Sequence, residues 1–199
     1  MPAPTRNDKS RSSRRSETAD TRALLIEAAG EAFNTSGFWG TDTNRIARKA
    51  GFAPQTFYRH FTDKLDVFLA VYERWREEES AALTDAIKSR PVKGHARAAA
   101  NILIRHHRDW TMFRRSLRQL ALDEPRVRAA RAAGRERQLD RLAALSANTR
   151  RSKADLVAAL LTVERLCDAL ADGEPQDLGL SDAEWTARIV QSVTAARGE

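Results

Sequence analysis

Residues 51–61 read GFAPQTFYRHF, and this stretch decides how the N-terminal part of the chain folds. Gly51 suits the end of one helix, and Pro54 suits the first turn of the next, where a missing N–H costs nothing. Phe57 and Phe61 are four residues apart and therefore lie on one face of a helix. The polar residues between them are left for the opposite face. We predict a short helix with one anchoring face and one face rich in hydrogen-bonding and cationic groups.

Helical periodicity continues before this stretch. From residue 21 onward, apolar residues repeat at steps of three and four, and Gly37 can end that helix with a positive φ. A second helix is expected after residues 41–43, whose Thr and Asp oxygens can cap exposed amides, and Gly51 would end it. Two short helices joined by a tight turn, with a longer one packed across them, form a helix-turn-helix. We place this DNA-binding domain at residues 19–66.

The rest of the chain is also helical in pattern. No segment alternates with the period of a strand. A fourth helix is expected from Asp63, a good N-cap, to Ile87, and the last helix begins with a capping box of Ser181 and Glu184. The sequence predicts an all-α protein of nine helices, with residues 67–199 as a helical ligand-binding and dimerisation domain. The later segments are expected at about 94–107, from 109, and at 123–147, 152–171 and 181–197, and Gly173 is expected to end the helix at 152–171.

Composition narrows the class of protein. A single cysteine among 199 residues gives no internal disulfide and suits a reducing cytoplasm. No apolar run approaches the roughly 18 residues of a membrane span, and the start of the sequence lacks the apolar middle of a signal peptide. There is no Gly-rich phosphate loop, G-x-S-x-G elbow or H-E-x-x-H pair. We therefore expect a cytoplasmic protein that is not an enzyme and has no cofactor and no metal.

Positive charge is concentrated at the start of the chain. The sequence has a net charge of +7, and residues 1–16 hold five Lys or Arg against one Asp. We predict a basic flexible arm at residues 1–18, with Arg11, Arg14 and Arg15 as its candidate DNA contacts. Two interpretations stay open: a solvated tail, or an arm that lies along phosphates or enters a minor groove.

The pattern from Thr43 to Lys64 resembles the DNA-binding signature of the tetracycline-repressor (TetR) family of transcriptional regulators. The resemblance covers roughly the first 70 residues. It implies a homodimer whose N-terminal domain binds a near-palindromic double-stranded DNA operator and whose C-terminal domain dimerises and binds a small-molecule effector that releases the DNA. The matching positions are Thr43, Ile46, Ala47, Ala50, Gly51, Phe57, Tyr58, His60, Phe61 and Lys64.

Position by position, the resemblance also implies the DNA contacts. Gln55 and Thr56 are the expected base readers, and Gln55 stands where many members have glycine. A glutamine there can pair with N6 and N7 of adenine. Ala53 departs from the serine that often caps the recognition helix. The expected phosphate contacts are Thr43, Tyr58, His60 and Lys64, with Asn44, Arg45 and Arg59 as plausible additions.

Aromatic, sulfur and imidazole groups in the middle of the chain form a candidate effector pocket. Each of them alone is more often a core residue, but together they can line an apolar site with a few polar groups. His106 and His107 make a poor metal motif, because neighbours on a helix point about 100° apart. We expect a repressor released by a small apolar or aromatic effector; the alternative is an effector-independent DNA-binding or scaffolding protein. The pocket candidates are Trp75, Leu103, His106, His107, Trp110, Met112, Phe113, Leu117 and Cys167.

Overall fold

A computed structural model of the chain describes residues 6–89, 91, 94–145 and 151–197. In this part of the chain the regular elements are ten α-helices and no strand, which confirms the all-α prediction. Nine helices were predicted, and the additional one is a single turn at Glu174–Asp177. The helices are α1 (Arg6–Ser36), α2 (Thr43–Lys49), α3 (Pro54–Tyr58), α4 (Lys64–Lys88), α5 (His95–Asp109), α6 (Thr111–Asp123), α7 (Pro125–Leu145), α8 (Lys153–Asp172), α9 (Glu174–Asp177) and α10 (Asp182–Arg197).

The first helix begins earlier than the sequence indicated. We expected it from residue 21, but α1 starts at Arg6, so residues 6–18 of the predicted flexible arm are helical. Residues 1–5 lie outside the described part of the chain. Extending an existing helix adds one hydrogen bond for each residue that is fixed, and Arg and Lys are good helix formers. Apolar periodicity marks only the part of a helix that packs on a core, which is why it did not reveal this extension.

The chain divides into two compact units, Met1–Tyr72 and Glu73–Glu199, a few residues beyond the predicted boundary at 66/67. The core of the first unit is aromatic. Phe57 and Phe61 are buried as predicted, with their rings 5.5 Å apart. Phe33 of α1 meets Phe68 of α4 edge to face at 5.1 Å. These contacts fix α1, α3 and the start of α4 around α2, which contributes Ile46 and Ala47 to the core.

The ends of α2 and α3 are set by the local signals that the sequence predicted. Asp42 caps α2 by accepting a hydrogen bond from the Arg45 amide at 2.8 Å. Gly51 follows α2 with a φ of 81°, a left-handed value that glycine adopts without strain. Ala53 gives α3 no side-chain cap, and Pro54 occupies its first turn. A helix-turn-helix results, with α3 as its second helix.

The second unit is built around an apolar cluster of α5, α8 and α10. The helix caps predicted near its C-terminal end are present: Gly173 ends α8 with a φ of 84°, and Ser181 with Glu184 forms the expected capping box. Among the described residues, no helix combines the length and hydropathy needed to cross a membrane. The buried members of the cluster are Ala96, Ala99, Ala100, Ile104, Val163, Cys167, Leu170, Ile189 and Val193.

Candidate nucleic-acid interface

Helix α3 separates an anchoring face from a polar face. Phe57 is fully buried, whereas Gln55 and Arg59 are exposed and Thr56 is half-buried. The ring of Phe57 therefore fixes how far the helix can rotate. The side chains proposed as base readers are left on the solvent side, where an incoming base edge can meet them.

The two short helices meet through a pair of hydroxyl groups. Thr43, the first residue of α2, and Tyr58, the last residue of α3, share a hydrogen bond of 3.0 Å between their side-chain oxygens. The Tyr58 side chain is 59% exposed, and its ring packs edge to face on Phe57 at 5.4 Å. Asn44 and Arg45 are exposed on the adjacent turn. Hydroxyl and guanidinium donors at one edge are the groups that commonly contact DNA phosphates.

His60 lies just beyond α3 and is half-buried. Burial lowers its pKa, and the charges of Arg22 and Arg59 lower it further. The imidazole is therefore neutral at pH 7, with one N–H to donate and no charge to offer a phosphate.

Lys64, the first residue of α4, is held by the turn between α1 and α2. Its ammonium donates hydrogen bonds to the carbonyl oxygens of Phe38 at 2.8 Å and Thr41 at 2.9 Å. It also lies 4.1 Å from the centre of the Phe38 ring. Burial lowers the pKa of Lys64, while the charge of Asp42 acts in the opposite direction. The group predicted as a phosphate contact is thus already engaged inside the domain.

One exposed side chain at this turn was not predicted to have a role. Trp39 is 57% exposed, and its ring meets that of Phe38 edge to face at 5.6 Å. The signal was present in the sequence GFWG at 37–40, where two aromatics stand between glycines although one suffices for the core.

The three arm residues predicted to contact DNA lie on the N-terminal part of α1: Arg11, Arg14 and Arg15.

Some of the effector-pocket candidates come together in the second unit. Trp75 stacks on His106 with 4.5 Å between ring centres, and His107 lies tilted at 6.1 Å. His106 also donates from Nε2 to the Trp75 carbonyl oxygen at 2.9 Å. Trp110 makes an edge contact with Phe113 at 5.5 Å. Five of the nine candidates thus form aromatic contacts along α4, α5 and α6.

The other four candidates are distributed differently. Leu103 and Cys167 belong to the apolar cluster of α5, α8 and α10. Leu117 is buried at 1% exposure, whereas Met112 is 37% exposed. Burial raises the pKa of the Cys167 thiol to about 12, as expected for a small hydrophobic residue in a core.

Beside the aromatic group lies a set of buried charges that sequence analysis missed. Arg114 donates from Nε and Nη2 to the two carboxylate oxygens of Asp168 at 2.7 and 2.9 Å, and both side chains are 4% exposed. His107 donates from Nδ1 to the same carboxylate at 3.0 Å. Glu164 accepts from Arg114 at 3.2 Å. We call Arg114, His107, Asp168 and Glu164 the Arg114 cluster.

The cluster shifts the pKa values of its members. Burial and the charge of Arg114 lower the pKa of His107 to about 4, against the opposing effect of Asp168. Burial alone would raise the pKa of Glu164, but the charges of Arg114 and two further arginines lower it to about 2. Asp168 is held well below its usual pKa, against the effect of burial, by hydrogen bonds from His107 and Arg114. At neutral pH the cluster is therefore Arg⁺ with two carboxylates and a neutral imidazole.

One sequence signal could have revealed this cluster. Glu164 and Asp168 are four residues apart, and each directly follows a core residue of α8, Val163 or Cys167. Carboxylates next to an apolar stripe lie close to the buried side of a helix. A buried carboxylate is costly unless it is paired, so such residues indicate cationic partners. The partner, Arg114, is 54 residues away from Asp168 in sequence. Periodicity within a helix cannot identify a partner at that distance.

Comparison with known proteins places these features in a family. The model described as "Bacterial regulatory proteins, tetR family" matches residues 25–71. The HTH-type transcriptional activator FasR of Mycolicibacterium smegmatis is 30% identical over 70 residues, which cover 35% of this chain and 32% of that protein. The HTH-type transcriptional regulator TtgW of Pseudomonas putida is 42% identical over 55 residues, covering 28% of this chain and 41% of that protein. The matches thus span between 32% and 41% of these relatives' length.

Solved structures extend the likeness to the whole fold. A TetR-family regulator from Rhodococcus sp. superposes with a TM-score of 0.71 at 16% identity, covering 90% of this chain and 99% of that chain. A second, from Mesorhizobium loti, gives a TM-score of 0.68 at 24% identity, covering 91% and 96%. At these identities the superpositions establish a shared fold.

The matched family and the structural neighbours are transcriptional regulators and not enzymes. The part of the chain that matches the family model is also the part that forms the helix-turn-helix and its aromatic core. Residues 25–71 therefore match the DNA-binding domain of the TetR family of transcriptional regulators, and the chain shares the fold of solved regulators of that family.

Proposed function

We propose that the protein is a sequence-specific regulator that binds a near-palindromic DNA site as a homodimer and is released by a small apolar or aromatic effector. The observation that carries this proposal is the arrangement of α2 and α3. Thr43 and Tyr58 form a hydroxyl pair at one edge, and Gln55 stands exposed on a helix that Phe57 anchors. Such a helix fits a major groove while the hydroxyl edge meets the backbone. A protein of this function acts in the cytoplasm, where the chromosome lies.

Gln55→Ala tests the base-reading role. The exposed amide of Gln55 can make two hydrogen bonds to adenine, and its loss is expected to cost about 1–3 kcal/mol on the operator. Random DNA of the same length should be bound as before. The measurement is a titration of both duplexes at fixed salt, after footprinting of the DNA flanking the gene has located the operator.

Tyr58→Phe is the matched variant at the backbone edge. It removes one hydroxyl and keeps the ring that packs on Phe57. We expect affinity to fall about fivefold on the operator and on random DNA alike, as for the loss of one hydrogen bond. If Gln55→Ala weakens both duplexes equally, Gln55 does not read a base. If Tyr58→Phe changes operator binding alone, the hydroxyl edge does not contact the backbone.

The proposed dimer would form through α8 and α10. Leu161 on α8 is 41% exposed, and Leu180, just before α10, is 38% exposed. A groove of about 410 Å³ along α10 is lined by Leu180, Glu184, Trp185, Ala187, Arg188 and Gln191. Two such helices from each subunit can pack as a four-helix bundle across a two-fold axis, and the groove would then receive side chains of the second copy.

Leu161→Arg is expected to shift the protein from dimer to monomer at micromolar concentration, because a charge would be buried at the centre of the bundle. Leu122→Arg is the control. Leu122 is also an exposed leucine, at 71%, but it lies on α6. Light scattering coupled to size exclusion gives the mass of each. A wild-type mass of one chain, or the same dimer for both variants, would rule out this interface.

The effector is supported by the aromatic contacts around Trp75, and one point about regulation follows from a relative. FasR is named an activator, so release from DNA can raise or lower transcription depending on where the operator lies. The competing candidate is a regulator without an effector, and the bidentate pair of Arg114 and Asp168, which fills part of the interior, favours it. Thermal-shift measurements against apolar and aromatic compounds, followed by operator binding with each hit, separate the two.

A further inference from the structure

Three carbonyl oxygens of the turn between α1 and α2 accept hydrogen bonds from side chains. Its carbonyl oxygens at Phe38 and Thr41 accept from Lys64, and the one at Gly40 accepts from Arg45 at 3.3 Å. The turn also leaves no space against the end of α1: a Cβ at Gly40 would lie 2.3 Å from the Ser36 carbonyl oxygen. Side chains from α2 and α4 thus complete a turn that is already closely packed against the end of α1.

Lys64 supplies the larger part of this support. Its ammonium contacts two carbonyl oxygens and the face of the Phe38 ring, an arrangement that combines two charge-assisted hydrogen bonds with a cation–π contact. A lysine ammonium has three N–H donors. Two of these donors are therefore used within the N-terminal unit.

The turn leads directly into the proposed DNA-contacting edge. Thr41 is followed by Asp42, which caps α2, and by Thr43, which is hydrogen-bonded to Tyr58. Lys64 is the first residue of α4, and its hydrogen bond to the Thr41 carbonyl oxygen therefore connects the start of α4 to the start of α2. Because α3 lies between α2 and α4 in the chain, the same contact closes the helix-turn-helix on itself. A shift of the turn would move Thr43 away from Tyr58.

We propose that Lys64 is a positioning residue: its ammonium clamps the α1–α2 turn, sets the spacing of the Thr43–Tyr58 edge, and does not neutralise a DNA phosphate. The proposal rests on the DNA-binding function proposed above. It assigns the affinity contributed by Lys64 to geometry, whereas the resemblance to the family assigned it to charge.

The salt dependence of DNA binding separates the two roles. A phosphate contact adds about 0.9 to the slope of log affinity against log salt concentration, and a clamp adds nothing. Lys64→Ala is expected to lower operator affinity about tenfold, because the turn loses the hydrogen bonds that hold it in position. The slope should not change. Lys64→Gln is uncharged and keeps N–H donors on a side chain one bond shorter, so it should recover part of the affinity. Arg59→Gln is the control, since Arg59 is exposed beside α3 and its loss should reduce the slope.

A second measurement needs no DNA. Lys64→Ala should lower the melting temperature by about 2–4 °C and speed amide hydrogen exchange at residues 38–43, and Lys64→Gln should restore part of both. A slope reduced in both Lys64 variants would overturn the proposal, because neutralisation would then explain the loss. Unchanged exchange in Lys64→Ala would overturn it as well. If the wild type binds no DNA, the proposed function fails, and the exchange experiment alone decides whether Lys64 is a clamp.

Discussion

Replacing Asp168 by asparagine is expected to lower the free energy of unfolding by about 3–5 kcal/mol, because it leaves a buried cation without its counter-charge. Arg114 reaches both carboxylate oxygens of Asp168, and both side chains are 4% exposed. Glu164 would remain as a partner at 3.2 Å, but it also accepts from Arg131 and Arg135. The measurement is urea unfolding of wild type and variant at pH 7.

Glu136→Gln is the matched control for this experiment. Glu136 pairs with Lys153 at 3.1 Å and, like Asp168, links α8 to another helix, but the two side chains are 57% and 71% exposed. Exposed pairs of this kind contribute about 0–1 kcal/mol. The double variant Asp168→Leu with Arg114→Met should recover part of the loss, since it removes both charges together. Equal losses for Asp168→Asn and Glu136→Gln would mean that burial does not determine the strength of the Arg114–Asp168 pair.

The second large effect is a loss of stability in mild acid that depends on His107. The folded pKa of His107 is about 4, below its ordinary value of 6.5. Between these two values the unfolded chain binds a proton that the folded chain does not. Stability from this group is therefore complete above about pH 6.5 and is lost as the pH falls toward 4, by up to about 3 kcal/mol.

Replacing His107 by glutamine isolates this effect. The glutamine amide can still donate to Asp168, and it does not titrate. Other groups titrate nearby: His106 has a lowered pKa, whereas burial raises the pKa of Glu79 and therefore acts with the opposite sign above pH 4.5. Both are common to wild type and variant, so the difference between their unfolding free energies at pH 7, 6, 5 and 4.5 reports His107 alone. A constant difference over that range would contradict the low folded pKa.

The helix-turn-helix could be predicted because its signals are local. Gly51, Pro54 and the pair Phe57 and Phe61 lie within eleven residues, and each acts on the backbone or on one helix face. The same holds for Gly173 and for the capping box at Ser181. Helical periodicity and end signals specify which residues form a helix and which face is buried.

Helical periodicity and end signals could not predict contacts between residues that are far apart in the sequence. Lys64 was predicted as a cation facing DNA, but its partners at Phe38 and Thr41 are 26 and 23 residues away. The ion pair of Arg114 and Asp168 spans 54 residues. A charged residue looks the same in sequence whether it faces water or a buried carbonyl group. Three-dimensional packing decides between the two.

The buried position of Cys167 has a practical consequence for distance spectroscopy. It is the single cysteine of the sequence, 1% exposed, and its thiol has a pKa of about 12. Thiolate-directed reagents react slowly with such a group at neutral pH. The natural protein can therefore be labelled at one introduced cysteine, for example Trp39→Cys on the α1–α2 turn, without removing its own. A spin or fluorescent label there would report the separation of the two turns in the proposed dimer with and without DNA.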